Sequence, residues 1–376
     1  MPQQERENVV SPRTTNPFTP MFGKVPAYLA GREQIIDEMV GAFGSDGNDP
    51  NLCSIFVGAR GTGKTSLLTY LGTEAEQLGW IVADVTAAEG MLEDILQRIQ
   101  ESSAHLLEQA PSKQLTGIEI AALGGLSWNS AGDQELNWRS CMNVIFDQLE
   151  STGTGILITV DEIDSSLPEM EQLVMAYQHF VREGKRVSLI MAGLPHRVSS
   201  LLSGKSTSFL RCAARHDLGS IPDYEVEEAF RLTVENGGRT IDQDALDMAV
   251  DAIGGFPFMF QLVGYRSWNA AGRRGTIAIE DVRNGSRLAR EELWSRVYDA
   301  TYAELSKGDI SFLRAMAQDE GTTERSDLTR RLGKSSSHVS TYKKRLLEAG
   351  VIEEPRQGEF VFALPGFREF LLSKDE

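Results

Sequence analysis

The sequence predicts an α/β fold with a parallel sheet, followed by a helical segment and a small C-terminal helix-turn-helix unit that carries a hairpin. Three observations predict it. An apolar strand, Leu52 to Val57, runs into a glycine-rich turn and a helix start at Thr65. A second apolar strand, Gly155 to Val160, ends in the adjacent acids Asp161 and Glu162. Strands and helices alternate through the first 219 residues, the pattern of a parallel sheet covered on both faces.

The turn after the first strand fits G-x-x-x-x-G-K-[ST] as Gly58, Gly63, Lys64 and Thr65, the Walker A or P-loop pattern. Glycines let the backbone fold tightly and aim successive N–H groups at phosphate oxygens, and the helix that starts there adds the favourable end of its dipole. Candidate nucleotide contacts are therefore Gly58, Ala59, Arg60, Gly61, Thr62, Gly63, Lys64, Thr65 and Ser66. Lys64 is placed to reach the β- and γ-phosphates, and the Thr65 hydroxyl to ligate Mg2+. The acidic end of the second strand fits Walker B, with Asp161 holding the metal's water shell and Glu162 polarising the attacking water.

Length, charge and cysteines bound the rest. With 376 residues the chain has room for two or three domains. No apolar run approaches the roughly 20 residues of a membrane helix, and Cys53, Cys141 and Cys212 are too scattered for a disulfide framework or a metal cluster. These features predict a cytoplasmic protein with no membrane partner. The formal charge of −17 lies in residues 1–306, because residues 307–376 hold 12 basic and 12 acidic side chains. An acidic body argues against broad coating of nucleic acid and leaves room for a local contact by the neutral tail.

In chain order, residues 1–27 read as an extended, proline-rich arm on the surface or partly disordered. Residues 28–219 are the nucleotide-binding core. Its helices are expected to begin at Ala30-Gly31-Arg32-Glu33 and to run from Thr65 to Leu78, Met91 to Glu108, Leu136 to Leu149 and Met170 to Glu183. Further strands are expected at Trp80 to Val85, Val187 to Ala192 and His216 to Leu218, and a short hairpin between Ile118 and Trp128. Residues 220–305 show helices without strands, with Ile279 to Leu305 as one helix. In residues 306–376, helix, helix, turn, helix and hairpin make a winged helix-turn-helix.

On the helix from Ser336 to Ala349 the expected buried stripe is Val339, Tyr342, Leu346 and Ala349. Lys334, Lys343, Lys344 and Arg345 against Glu348 give this region a net +3. Ser336, Ser337, Ser340, Lys343, Lys344, Arg345 and the wing's Arg356 are the candidate contacts to duplex DNA. A protein-docking winged helix with solvated cations fits the same residues, and the two readings stand side by side.

With these parts in order, the chain resembles AAA+ ATPases of the origin-recognition/initiator type, in the bacterial branch with a C-terminal winged helix, from about Tyr28 onward. The resemblance implies a five-stranded core, a helical lid, ATP or ADP with Mg2+ as ligands, and sites shared between subunits of a homo-oligomer. It implies a role near adenine and ribose for Arg32, which falls in the family's Gly-Arg-Glu segment. It implies that Arg211 or Arg215 reaches a neighbour's nucleotide as an arginine finger, unless both are plain surface arginines. Two departures stand out. The fourth strand ends Met191-Ala192-Gly193, where the family has a polar sensor, and Gly255-Phe256-Pro257 is followed by Phe258-Met259-Phe260, where it has a sensor arginine. The expectation is a slow ATPase that acts as a nucleotide-dependent switch and controls DNA binding or partner docking.

Overall fold

A computed structural model of the chain describes residues 15–21, 23–109 and 134–374. The hairpin expected between Ile118 and Trp128 lies outside the described residues. The chain forms two compact units, residues 32–219 with 298–376, and residues 1–31 with 220–297.

The first unit is built on five parallel strands in the order β2-β3-β4-β1-β5. They are β1 (Cys53–Val57), β2 (Ile81–Thr86), β3 (Ile156–Asp161), β4 (Val187–Gly193) and β5 (Ala214–Asp217). The inner strands β3 and β4 are buried along their whole length, which is why they read as unbroken apolar runs. Edge strand β5 alternates half-buried and exposed residues. Helices α1 (Glu33–Phe43), α2 (Lys64–Gln77), α3 (Met91–Gln109), α4 (Gln134–Leu149), α5 (Pro168–Arg182) and α6 (Pro195–Ser203) alternate with the strands. Ile55, Ile95, Met142, Ile158, Phe180 and Leu189 share one core. Register pairs Val57 with Gly193 and Thr86 with Asp161, so the P-loop and the Walker B acids emerge at the same end of the sheet.

The second unit holds α7 (Asp223–Asn236), α8 (Gln243–Ile253), α9 (Pro257–Ala270) and α10 (Ile279–Leu293). The sequence predicts helices alone here. Instead β6 (Thr240–Ile241) and β7 (Thr276–Ile277) form a two-residue parallel ladder. The single helix expected from Ile279 to Leu305 is interrupted by a π-helical turn, Trp294–Tyr298, before α11 (Asp299–Glu304). Part of the N-terminal arm also departs from the expected surface segment. Phe18 is only 2% exposed, in ring contact with Phe230 and Phe260.

The last residues of the first unit run α12 (Lys307–Met316), β8 (Thr323–Glu324), α13 (Arg325–Leu332), α14 (Ser336–Glu348), β9 (Ile352–Arg356), β10 (Glu359–Phe362) and α15 (Phe367–Ser373). The three strands form an antiparallel sheet in the order β8-β10-β9. Ser306 caps α12 by accepting from the Asp309 N–H, while the Asp309 carboxylate accepts from the Ser306 N–H. Of the stripe expected on α14, Val339 and Leu346 are fully buried, and Tyr342 and Ala349 are half-buried.

Candidate functional site

The P-loop connects β1 to α2. Gly58 sits so close to its surroundings that a Cβ there would lie 2.6 Å from the Thr62 hydroxyl and 2.9 Å from the Leu218 carbonyl. At the end of the loop, Gly63 caps α2 with a left-handed φ of 87°, a conformation costly for side-chain-bearing residues. The Thr62 hydroxyl donates to the Ala59 carbonyl at 2.9 Å and fixes the turn. The Lys64 ammonium donates to the carbonyls of Gly58 (2.9 Å) and Ala59 (2.7 Å), folded over the loop. Burial lowers its pKa below the usual lysine value, and the carboxylates of Asp161 and Glu162 partly restore it.

Asp161 closes β3 and is 9% exposed. One of its oxygens accepts from the Thr65 hydroxyl at 2.5 Å and the other from the Glu162 N–H at 2.8 Å. A hydroxyl and a carboxylate in contact at a helix N-terminus are the oxygen donors that suit a hard cation such as Mg2+, so the residues present fit that ion. Glu162 is exposed and has φ 58°, the only positive φ among the described non-glycine residues. A glutamate in the left-handed region is strained, and such strain gathers where a side chain must be aimed.

Beside this pair opens a cleft of about 350 Å³, whose lining includes Thr65, Asp84, Thr86, Asp94, Arg98 and Asp161. The Thr159 hydroxyl donates to Asp84 at 2.6 Å, and Arg98 pairs with Asp94 at 3.3 Å. Asp84, Asp94 and Arg98 were missed by sequence reasoning. The available signal was Asp84 itself, one acid inside the apolar β2, at the register position opposite Thr159.

The structure thus brings together residues 58–65, Asp161 and Glu162. Arg60 and Thr65 are exposed on the loop and first helical turn, and Ser66 is half-buried behind them. Arg32 is 9% exposed and donates to the Gly219 carbonyl at 3.0 Å. Arg211 lies outside the cluster, exposed on the 3-10 turn Ser208–Cys212, where its Nε donates to the Leu202 carbonyl. The end of β4 is apolar and buried, as Met191 and Ala192 predict.

At the C-terminal helix α14, most of the proposed DNA contacts are engaged within the unit. Arg325 donates to the hydroxyls of Ser336 and Ser340 at 2.9 and 2.6 Å. Lys343 pairs with Glu354 at 2.9 Å and Arg345 with Asp309 at 2.6 Å. Ser337 is exposed and shares a hydrogen bond with Ser335. The side chains of Lys344 and Arg356 remain 78% and 82% exposed, each only loosely paired, with Glu348 at 3.8 Å and Glu359 at 4.0 Å.

Comparison with known proteins follows the same division. The AAA domain family matches residues 48–202, and a family described as a domain of unknown function (DUF8462) matches residues 295–371. No curated protein sequence matches the chain. Among solved structures, a Walker-type ATPase of Pyrococcus abyssi superposes with a TM-score of 0.65 at 14% identity, over 91% of this chain and 95% of that one. The ORC2 protein of Aeropyrum pernix, solved with ADPNP and ADP, gives 0.62 at 15% identity, over 95% and 98%. Among the described residues no helix is long and apolar enough to cross a membrane. Residues 48–202 are thus an AAA domain, and the chain as a whole has a fold similar to that of the Aeropyrum pernix ORC2 protein.

Proposed function

We propose that the protein binds ATP with Mg2+, hydrolyses it slowly, and uses the bound nucleotide as a switch that controls DNA binding through its C-terminal unit, read as a winged helix. The observation that carries the nucleotide reading is the 2.5 Å contact of Thr65 with Asp161 beside the P-loop lysine. Bound ATP·Mg2+ would supply the electrophilic γ-phosphoryl group and its charge neutralisation. The loop N–H groups and Lys64 would hold the phosphates, and Thr65 and Asp161 the metal. Glu162 would accept the proton of the attacking water. Arg32 would support the base and ribose side. The apolar end of β4 supports slow turnover, because no side chain there can orient that water.

Replacing Lys64 with Ala removes a charge-assisted donor, so binding of a fluorescent ATP analogue should weaken by about 10- to 100-fold. Equal affinity in wild type and Lys64→Ala would sink the nucleotide reading. Arg211 and Arg215 are both exposed, as an arginine reaching a neighbouring copy's nucleotide must be. Light scattering with and without ATP tests the assembly into a homo-oligomer that this role requires.

A second reading, in which the C-terminal unit docks a protein partner, is favoured by the ion pairs of Lys343 and Arg345. Fluorescence anisotropy with duplex DNA decides between them. With Lys334, Lys344 and Arg356 as the contacting cations, binding should depend on ATP and fall with salt at a log–log slope of about −3. DNA binding that is absent with ATP, with ADP and without nucleotide would leave the docking reading in its place.

A further inference from the structure

The C-terminal unit is packed against the nucleotide-binding core within one compact unit, next to the end of β4, where the Gly193 carbonyl accepts from the Gly58 N–H of the P-loop at 3.3 Å. Helix α14 lies against α6. The turn that ends α14 is seated on the core: a Cβ on Gly350 would come within 3.0 Å of a Leu194 methyl carbon, at the entrance to α6. His196 and Glu348 lie within electrostatic reach of each other across the same contact. From this seat β9 begins with Ile352 buried and Glu353 half-buried.

Glu353 lies within electrostatic reach of two charged groups of the nucleotide site. One is the P-loop ammonium of Lys64, and the other is Asp217, at the end of β5. Burial and the Asp217 carboxylate raise Glu353 above the usual glutamate pKa, and Lys64 pulls it back. The Lys64 charge that a triphosphate would use thus lies within the field of a carboxylate from another part of the chain, beyond the larger influences of Asp161 and Glu162.

We propose that Glu353 makes the C-terminal hairpin an acidic gate on the P-loop, so that docking of the C-terminal unit and binding of ATP oppose one another. The inference rests on the reading of the P-loop as a nucleotide site. Its physical content is repulsion between the Glu353 carboxylate and the incoming phosphates, in a site where one ammonium cannot neutralise both. Linkage makes the effect reciprocal: the factor by which docking weakens ATP is the factor by which ATP weakens docking. The nucleotide state is then read out as freedom of α14 and the hairpin, the elements that carry Lys344 and Arg356.

The test uses full-length protein, a fluorescent ATP analogue with Mg2+, and three variants. Glu353→Gln removes the charge at nearly constant volume and should tighten binding by about fivefold; Glu353→Lys should tighten it further. Leu194→Ala loosens the seat of Gly350 without touching Glu353 and should tighten binding in the same direction. Because Leu194 is buried and that variant could fold poorly, hydrogen exchange of the wild type gives an independent readout. ATP·Mg2+ should speed exchange in residues 336–362 by several-fold. Wild-type binding that Glu353→Gln and Glu353→Lys leave unchanged or weaken overturns the gate alone, as does exchange in 336–362 that ATP does not alter. Absence of nucleotide binding in the wild type and in both Glu353 variants overturns the P-loop reading, and the gate with it.

Discussion

Replacing Glu162 with Gln is expected to lower ATP hydrolysis by about 100-fold or more while leaving ATP binding intact, as measured by phosphate release and by retention of labelled nucleotide. The carboxylate is the only proton acceptor of the Walker B pair left uncommitted, because Asp161 already accepts from Thr65 and from the Glu162 N–H. Gln keeps the size of the side chain and removes the base, so substrate should stay bound and unreacted. An unchanged rate would remove Glu162 from this role. A companion variant separates chemistry from folding. Glu162 stands at φ 58°, and an L-residue pays on the order of 1 kcal/mol for that conformation. Glu162→Gly should therefore be at least as stable as the wild type in denaturant unfolding, and as inactive as the Gln variant. Loss of both stability and activity would mean that the side chain packs rather than reacts.

The parts of this site that the sequence made legible are those whose chemistry demands fixed residue types at fixed spacing. A phosphate cradle needs glycine at Gly58 and Gly63, and a buried parallel strand needs an apolar run, so β1, β3 and the acids at the end of β3 could be read directly. Asp84 was hidden by the reverse logic, because one acid in an apolar strand has no period to announce it. The ladder of β6 with β7 has two residues per strand, too few for alternation to register. The π-helical turn at Trp294–Tyr298 contains neither Gly nor Pro, so nothing in the sequence marks a break. On α14 the sign of the charge was countable, but its pairing was not. Glu354 and Asp309, which hold Lys343 and Arg345, come from other elements of the fold.

The arm residue Phe18 illustrates the same limit and carries the largest expected stability effect. An aromatic flanked by Asn, Thr and Pro residues looks like part of a solvated tail. Yet its ring lies 5.1 Å from Phe230 and 5.8 Å from Phe260, and those two meet edge-on at 5.5 Å. Helix α9 admits the ring only because residue 264 is glycine; a Cβ there would lie 2.2 Å from the Phe18 ring. Backbone and side-chain hydrogen bonds fix the approach. The Thr19 N–H donates to the Gln261 side chain at 2.8 Å, and the Asn16 amide donates to the Tyr265 carbonyl and to Asn269, both at 3.1 Å. Residues 16–19 are therefore a piece of this helical unit's core that happens to lie far away in sequence. Phe18→Ala should cost that unit about 3 kcal/mol, since it empties a ring-sized volume walled by rings that cannot collapse into it. With two compact units in the chain, a single global transition is a poor measure, and hydrogen exchange resolves them. Protection should fall in α7 and α9 while β3 and β4 keep theirs, and Phe18→Leu should recover about half of the loss. Gly264→Ala should reproduce the Phe18→Ala pattern by expelling the ring from the other side. Unchanged protection in α7 and α9 in both variants would show that the helices hold together without the arm.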